Sequence, residues 1–212
     1  MLGVKFNNFH SYNDFGLLLS KKSIGSPQPK SELLEVPGAD EMLDFTEFFG
    51  DVKYKNRPIT LDFSTLVPIN KFFSHFSMIH NALHGRKMQI VFDGDPDFYY
   101  SGRVSVKEWE FVKTIGKVTI ECDCDPYKYK KNKTVKEVTV AGEKTIELNN
   151  LRKWVTPVIK TTSNVRIEYG SNSYSISAGE VTVPEIVLKD GINTMTIHGN
   201  STVTITYQEG GF

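Results

Sequence analysis

The sequence predicts a mainly β protein with one helix, in two domains, and three observations carry that prediction. Arg57–Val67 and Lys117–Asp125 alternate apolar and polar residues with a period of two, the mark of a strand with one face buried and one exposed. A single stretch, Ile69–His84, repeats its apolar residues with a helical period. After Asn132 the texture changes to short runs rich in Thr, Val and Ile, separated by turn residues. This organisation reads as a β-sandwich or jelly roll.

In chain order, residues 3–9 predict a first strand with Val4 and Phe6 on one face. Phe15–Ser20 is a short apolar run, and KKSIGSPQPKSE reads as a polar loop. In Val36–Gly50, Pro37-Gly38 predicts a type II turn, because proline presets the first central dihedral and glycine accepts the positive second one. The carboxylates Asp40, Glu41, Asp44, Glu47 and Asp51 read as a solvated loop and strand face. Ile69–His84 places Ile69, Phe72, Phe73, Phe76, Ile79 and Leu83 on one stripe, with Asn70 as N-cap and Gly85 as the C-terminal αL residue. His80 falls inside the stripe and His84 at its edge. The glutamate of an HExxH site is missing, so a core histidine bonded to backbone is the expectation.

Met88–Phe92 reads as a strand. Asp93, Asp95 and Asp97 imitate the start of an EF-hand loop, but Phe98 and Val104 stand where its glycine and glutamate belong, so a tight acidic turn is expected. Phe98–Val112, bent at Gly102, returns through Thr114-Ile115-Gly116 into Lys117–Asp125 as a long antiparallel hairpin. Cys122 and Cys124 then lie on one strand face, as two small apolar residues toward a core. Asp125-Pro126 is expected to break the strand, and Lys128–Thr134 to be a structureless linker. Eight short strands follow: Lys136–Val140, Lys144–Leu148, Pro157–Thr161, Val165–Tyr169, Tyr174–Ser177, Val181–Val187, Asn193–His198 and Thr202–Tyr207. Ala141-Gly142 and Gly199-Asn200 are among the separating turns. The expected domains are 1–132 and 133–212.

Composition limits the function classes. The chain has 212 residues with 25 basic and 25 acidic side chains. Up to Asn132 there are 17 of each, and after it 8 of each, so neither half has the basic excess of a phosphate-backbone binder. MLGVKFNNFHSYNDF lacks a basic start followed by an apolar core, and no stretch approaches a membrane span. These features predict a chain made and first folded in a cytoplasm, with no membrane insertion. No G-x-S-x-G elbow, phosphate loop or HExxH motif is present; no catalytic residue, cofactor or metal is expected. A sandwich can also hold sugars against aromatic side chains, and Trp154, Tyr169 and Tyr207 are the candidates, with a core or edge place the first expectation for Tyr169 and Tyr207.

Four stretches together resemble one family. They are DFGLLL (Asp14–Leu19), VPGADEMLDFTE (Val36–Glu47), YSGRV (Tyr100–Val104) leading to ECDCDPYKY (Glu121–Tyr129), and GNSTVTITYQEG (Gly199–Gly210). Their order and spacing resemble the distal tail proteins (Dit) of long, flexible-tailed phages and prophages of Gram-positive bacteria. One departure is Glu41, where glycine is expected after the turn. The resemblance implies an N-terminal domain that forms a hexameric ring and a galectin-like C-terminal sandwich projecting outward. It implies a place at the virion tail tip, after assembly in the host cytoplasm. The implied partners are the tail tube protein, the tape-measure protein, the tail-associated lysin or hub and the receptor-binding protein, around a channel for DNA. The alternative is a carbohydrate-binding module that contacts host cell-wall sugars.

A ring needs a heterologous interface that closes, and the Phe98–Asp125 hairpin is the natural element for it. Asp93, Asp95, Asp97, Tyr99, Tyr100, Arg103 and Trp109 are therefore expected at a ring or partner interface, with Asp93, Asp95 and Asp97, or the Asp40–Asp51 loop, near the lumen or a partner. Pro126, Lys128 and Lys131 are expected at a hinge between the domains.

Overall fold

The structure is a computed structural model that describes residues 3–48, 50–112 and 114–212. The chain divides into two compact units, Met1–Lys128 and Tyr129–Phe212. Each has its own hydrophobic core.

The first unit holds β1 (Val4–Phe6), β2 (Phe9–His10), β3 (Leu18–Ile24), β4 (Leu33–Leu34), β5 (Leu43–Asp44), β6 (Arg57–Thr65), α1 (Ile69–Leu83), β7 (Lys87–Phe92), β8 (Phe98–Val112) and most of β9 (Ile115–Lys130). The main sheet runs β2-β1-β7-β8-β9-β6-β3. Its centre is the β6–β9 ladder, in register from Arg57↔Cys124 to Thr65↔Gly116. The predicted alternation holds here: Ile59, Leu61 and Phe63 are buried on one strand, and Val118, Ile120, Cys122 and Cys124 on the other. Each such side chain, fully removed from water, contributes about 1.5–3 kcal/mol.

Helix α1 covers this face with Phe72, Ile79 and Leu83. The predicted stripe is narrower than the sequence suggests, because Ile69 and Phe73 in the first turn are exposed. Asn70 is not the N-cap. Pro68 takes that position, with no side-chain cap, since its fixed φ already suits entry into a helix. Gly85 does take the positive φ, +76°, and its amide leaves the helix to bond the Val104 carbonyl at 2.8 Å.

Two local expectations are corrected. The stretch read as a polar loop begins as strand, since β3 reaches Ile24 and pairs Ile24↔Ile59. Asp125-Pro126 does not end β9, which continues to Lys130. Pairing with β6 stops at Cys124, so Pro126 lies beyond the end of β6, where a missing N–H removes no bond from that ladder. The linker is correspondingly short, because β10 starts at Thr134.

The second unit holds β10 (Thr134–Asn150), β11 (Val158–Thr161), β12 (Val165–Tyr169), β13 (Asn172–Ile176), β14 (Gly179–Thr182), β15 (Gly191–Tyr207) and β16 (Gly210–Gly211). Four of the eight predicted short strands are the halves of two long ones. β10 and β15 pair without interruption from Thr134↔Tyr207 to Asn150↔Gly191. The supposed turns Ala141-Gly142 and Gly199-Asn200 face each other inside this ladder. Gly142 and Gly199 have φ of +86° and +135°, so they let a strand pair change direction without losing its partner. On one side of this point β15 pairs β12, and on the other it pairs β11. Val138 and Val140 before the glycines, and Ile146 and Leu148 after them, enter one core. A single ladder thus supplies both walls of the sandwich.

Gly102 is a close-approach site. A Cβ there would lie 2.5 Å from Cys124 Sγ and 2.6 Å from the Asp123 carbonyl oxygen. Gly102→Ala must therefore push β8 away from β9, and we expect a loss of roughly 1–3 kcal/mol. Chemical denaturation of the first unit, followed by its Trp109 fluorescence, measures it. An unchanged midpoint would contradict the close packing.

Candidate functional site

The residues singled out in the sequence fall into three places. The first is the acidic turn. Asp93 Oδ2 accepts the Gly3 amide at 2.7 Å and lies 3.1 Å from His10 Nε2. Burial pushes the Asp93 carboxyl up, but the Gly3 amide and the His10 ring outweigh it and hold it below the ordinary carboxylate value. Asp95 instead meets Lys128 Nζ at 2.9 Å, and that ammonium also lies 4.5 Å from the Phe98 ring centre. Asp93 and Asp95 therefore turn to different partners, as a structural turn requires. Among the described residues, no group of three or more His, Cys, Asp or Glu side chains could hold a metal ion.

The second place is the β8–β9 hairpin. Tyr99 is half-buried, and burial and the nearby Asp125 raise its hydroxyl pKa. Tyr100 is buried, with the Arg57 guanidinium over its ring at 5.5 Å; in this chain it is a core residue and offers no surface. Arg103 Nη1 donates to the Gly85 carbonyl at 2.6 Å and ties the helix end to β8. Trp109 stacks on Phe76 at 4.5 Å and meets Phe73 edge-on at 5.1 Å, while remaining partly exposed. His80 stacks on His84 at 4.2 Å, and His84 Nδ1 accepts the Val106 amide. Of the expected hinge residues, Pro126 is within β9, Lys128 is held by Asp95, and Lys131 is exposed between β9 and β10.

The third place is the sandwich. Tyr207 is buried and its hydroxyl donates to the Asn149 carbonyl at 2.5 Å, so its ring is no sugar platform. The Tyr169 hydroxyl lies 2.6 Å from the Val187 carbonyl and 2.9 Å from Asn193 Oδ1, and burial raises its pKa. Trp154 is half-buried under the Lys189 ammonium at 5.0 Å. These aromatics are not gathered on one exposed face.

Two exposed apolar surfaces stand out, the second of them around the Asp40–Asp51 loop that the sequence suggests for the lumen or a partner interface. One is the exposed apolar edge where α1 begins: Leu66, Ile69 and Phe73, continued by Trp109. The other is a flap rooted at the Pro29–Tyr54 bridge. In it β4 and β5 pair Leu33↔Asp44 and Leu34↔Leu43. The Pro37-Gly38 turn has the expected form: Gly38 has φ +84°, and the Ala39 amide bonds the Val36 carbonyl at 3.0 Å. Asp44 accepts the Thr46 amide at 2.8 Å, and hydrogen bonds from Thr46 lower its pKa. Yet Leu33, Leu34, Met42, Leu43 and Phe45 are all exposed. A two-stranded pair is marginal alone in water, and so many exposed large apolar side chains mark an interaction surface. The available signal was the interleaving of apolar residues with the carboxylates of this segment.

The fold matches that of a solved tail protein. The crystal structure described as "SPP1 Dit (gp 19.1) Protein, a Paradigm of Hub Adsorption Apparatus in Gram-positive Infecting Phages" superposes with a TM-score of 0.73. The match covers 98% of this chain and 99% of that one, at 15% sequence identity. The chain therefore has the fold of that distal tail protein across its whole length. No protein-family model matches the sequence, and no curated protein does.

The cysteines provide a test of the core. Burial, aided by Cys124 and Glu121, raises the Cys122 thiol pKa, and burial with Asp123 and Asp125 pushes Cys124 up to about 12. A thiolate is the reactive species. We expect neither to react with iodoacetamide in the native protein at mildly alkaline pH, and both to react in denaturant. Rapid native labelling would show that the β8–β9 face is open.

Proposed function

We propose that this chain is a structural hub protein of a phage or prophage tail tip. Its copies close into a hexameric ring that joins the tail tube to the receptor-binding apparatus and leaves a channel for DNA. The observation that carries this reading is the likeness to the SPP1 Dit structure over both units of the chain. A partial likeness would fit any sandwich domain; a match through both units and the strand between them favours the same kind of building block. Its partners would be the tail tube, tape-measure, lysin or hub, and receptor-binding proteins, with its place at the virion tail tip after assembly in the host cytoplasm.

The physical features are consistent with a structural role. Among the carboxylates flagged in the sequence, Asp44, Asp93 and Asp95 serve turns and ion pairs, and no catalysis is assigned. The formal net charge is zero, which would let DNA pass without the counterion-driven affinity that a basic channel would add. The acidic turn and the β8–β9 hairpin remain our candidates for ring or partner contacts, through Asp97, Tyr99 and Trp109. Relative movement of the two units, if the ring uses it, would centre on Lys131.

Negative-stain microscopy of the purified chain tests the reading. We expect six-fold rings with a central opening, formed alone or on added tail tube protein. A chain that stays monomeric at every concentration and binds no tube would overturn it.

A further inference from the structure

We propose that His198 works as a proton-operated clamp where the long ladder of the second unit folds. With both ring nitrogens protonated it ties β10 and β12 to β15. When one proton leaves, one of those ties is lost. Only side chains of the sandwich are involved, so the clamp stands apart from the ring reading above. Three observations lead to it.

The first is register. Glu143, His198 and Arg166 stand directly opposite one another on β10, β15 and β12. This row is one residue from Gly142 and Gly199, where the strand pair changes direction. Ile197 and Ile167, the next residues on β15 and β12, are buried in the core. Successive side chains of a strand alternate between faces, so the row lies on the outer face of one wall.

The second is the geometry around the ring. His198 Nδ1 is 3.4 Å from Glu143 Oε2, and Nε2 is 3.2 Å from Glu168 Oε1. The same Glu168 oxygen is 3.1 Å from Arg166 Nη2. Nε2 is closed to solvent and the Glu168 oxygen lies off its hydrogen-bond axis, so this contact is ionic. A neutral imidazole has one N–H and one lone pair, and would turn the lone pair toward one of the two carboxylates. Only the imidazolium offers a proton to each.

The third is charge balance. Glu143, Glu168, Arg166 and a protonated His198 sum to zero, whereas a neutral ring leaves one negative charge over. The neighbouring elements do not replace the missing proton. On β10, Glu147 stands further along, opposite Thr194, and Lys144 Nζ turns to the Thr139 carbonyl at 3.4 Å. On β13, Ser175 and Ser173 face Arg166 and Glu168. On β11, Lys160 pairs with Thr204, beyond the fold of the ladder. The clamp is therefore complete on the acid side of neutrality while the carboxylates stay ionised. It is lost as pH rises through the range in which histidine titrates, about pH 5 to 8.

His198 is the one histidine of the second unit; His10, His75, His80 and His84 and both cysteines precede it. Hydrogen exchange of the full-length chain, read on a peptide covering residues 194–203, compares wild type with His198→Gln at the same pH. We expect the wild type to exchange roughly threefold more slowly at pH 6, the size of an exposed ion pair, and the two to exchange equally at pH 8.5. A ratio that does not change with pH would overturn the clamp. A second measurement keeps the native imidazole. In ring ¹⁵N spectra at pH 7, Glu143→Gln combined with Glu168→Gln should lower the protonated fraction of His198 by a factor of about two to five. An unchanged fraction would mean that the carboxylates do not hold the proton, and would overturn the clamp even if His198→Gln failed to fold.

Discussion

The β6–β9 ladder is the interaction on which the first unit depends. It joins the buried rows Ile59-Leu61-Phe63 and Val118-Ile120-Cys122 in one register. A slip of one residue between them would turn one of the two rows to the solvent face. The ladder also determines where the unit's surfaces lie. At the Arg57 end the chain arrives from the flap, and at the Thr65 end it leaves into α1. Gly116, opposite Thr65, leaves room for the Phe72 ring, which a Cβ there would strike. The exposed edge of the helix is thus anchored by the same strand pair that anchors the flap.

The second unit meets a different constraint. Fewer than ninety residues must enclose a core, and small domains bury a smaller share of their surface. One continuous ladder, folded at Gly142 and Gly199, achieves this by giving both walls the same pair of strands. Several of its buried polar groups are satisfied locally. Asn193 receives the Lys189 amide at 2.8 Å and donates to the Lys189 carbonyl at 2.8 Å. Ser201 bonds Thr161 at 2.6 Å beside the fold. Glu209, nearly buried, meets Lys130 Nζ at 2.8 Å and the Thr134 hydroxyl. That arrangement ties the last residues of the chain to the first strand of the unit.

Period-two alternation made β6, β9 and the cores legible in the sequence, and the helical stripe with Gly85 located α1 to within a residue. The Pro37-Gly38 turn was legible because its dihedral demand is local. Features that depend on distant partners were not. Glycines at Gly142 and Gly199 carry the same local signal as a turn, and only their cross-strand pairing makes them a corner. Pro126 reads as a break unless it is known that β6 has already ended. Tyr100 looks like a surface aromatic in sequence, and its burial is decided by strands far away along the chain. The flap was visible only as acid. Its apolar residues have no period long enough to separate an interface from a core.

A tail-hub role and a closed ring of like subunits form one proposed account, resting on a fold shared through both units of the chain. Native mass spectrometry of the full-length chain over rising concentration tests that account most directly. It predicts a closed hexamer as the end state, with intermediates that grow one copy at a time and no larger species. Saturation at a dimer would require a two-fold contact between like surfaces and would contradict it.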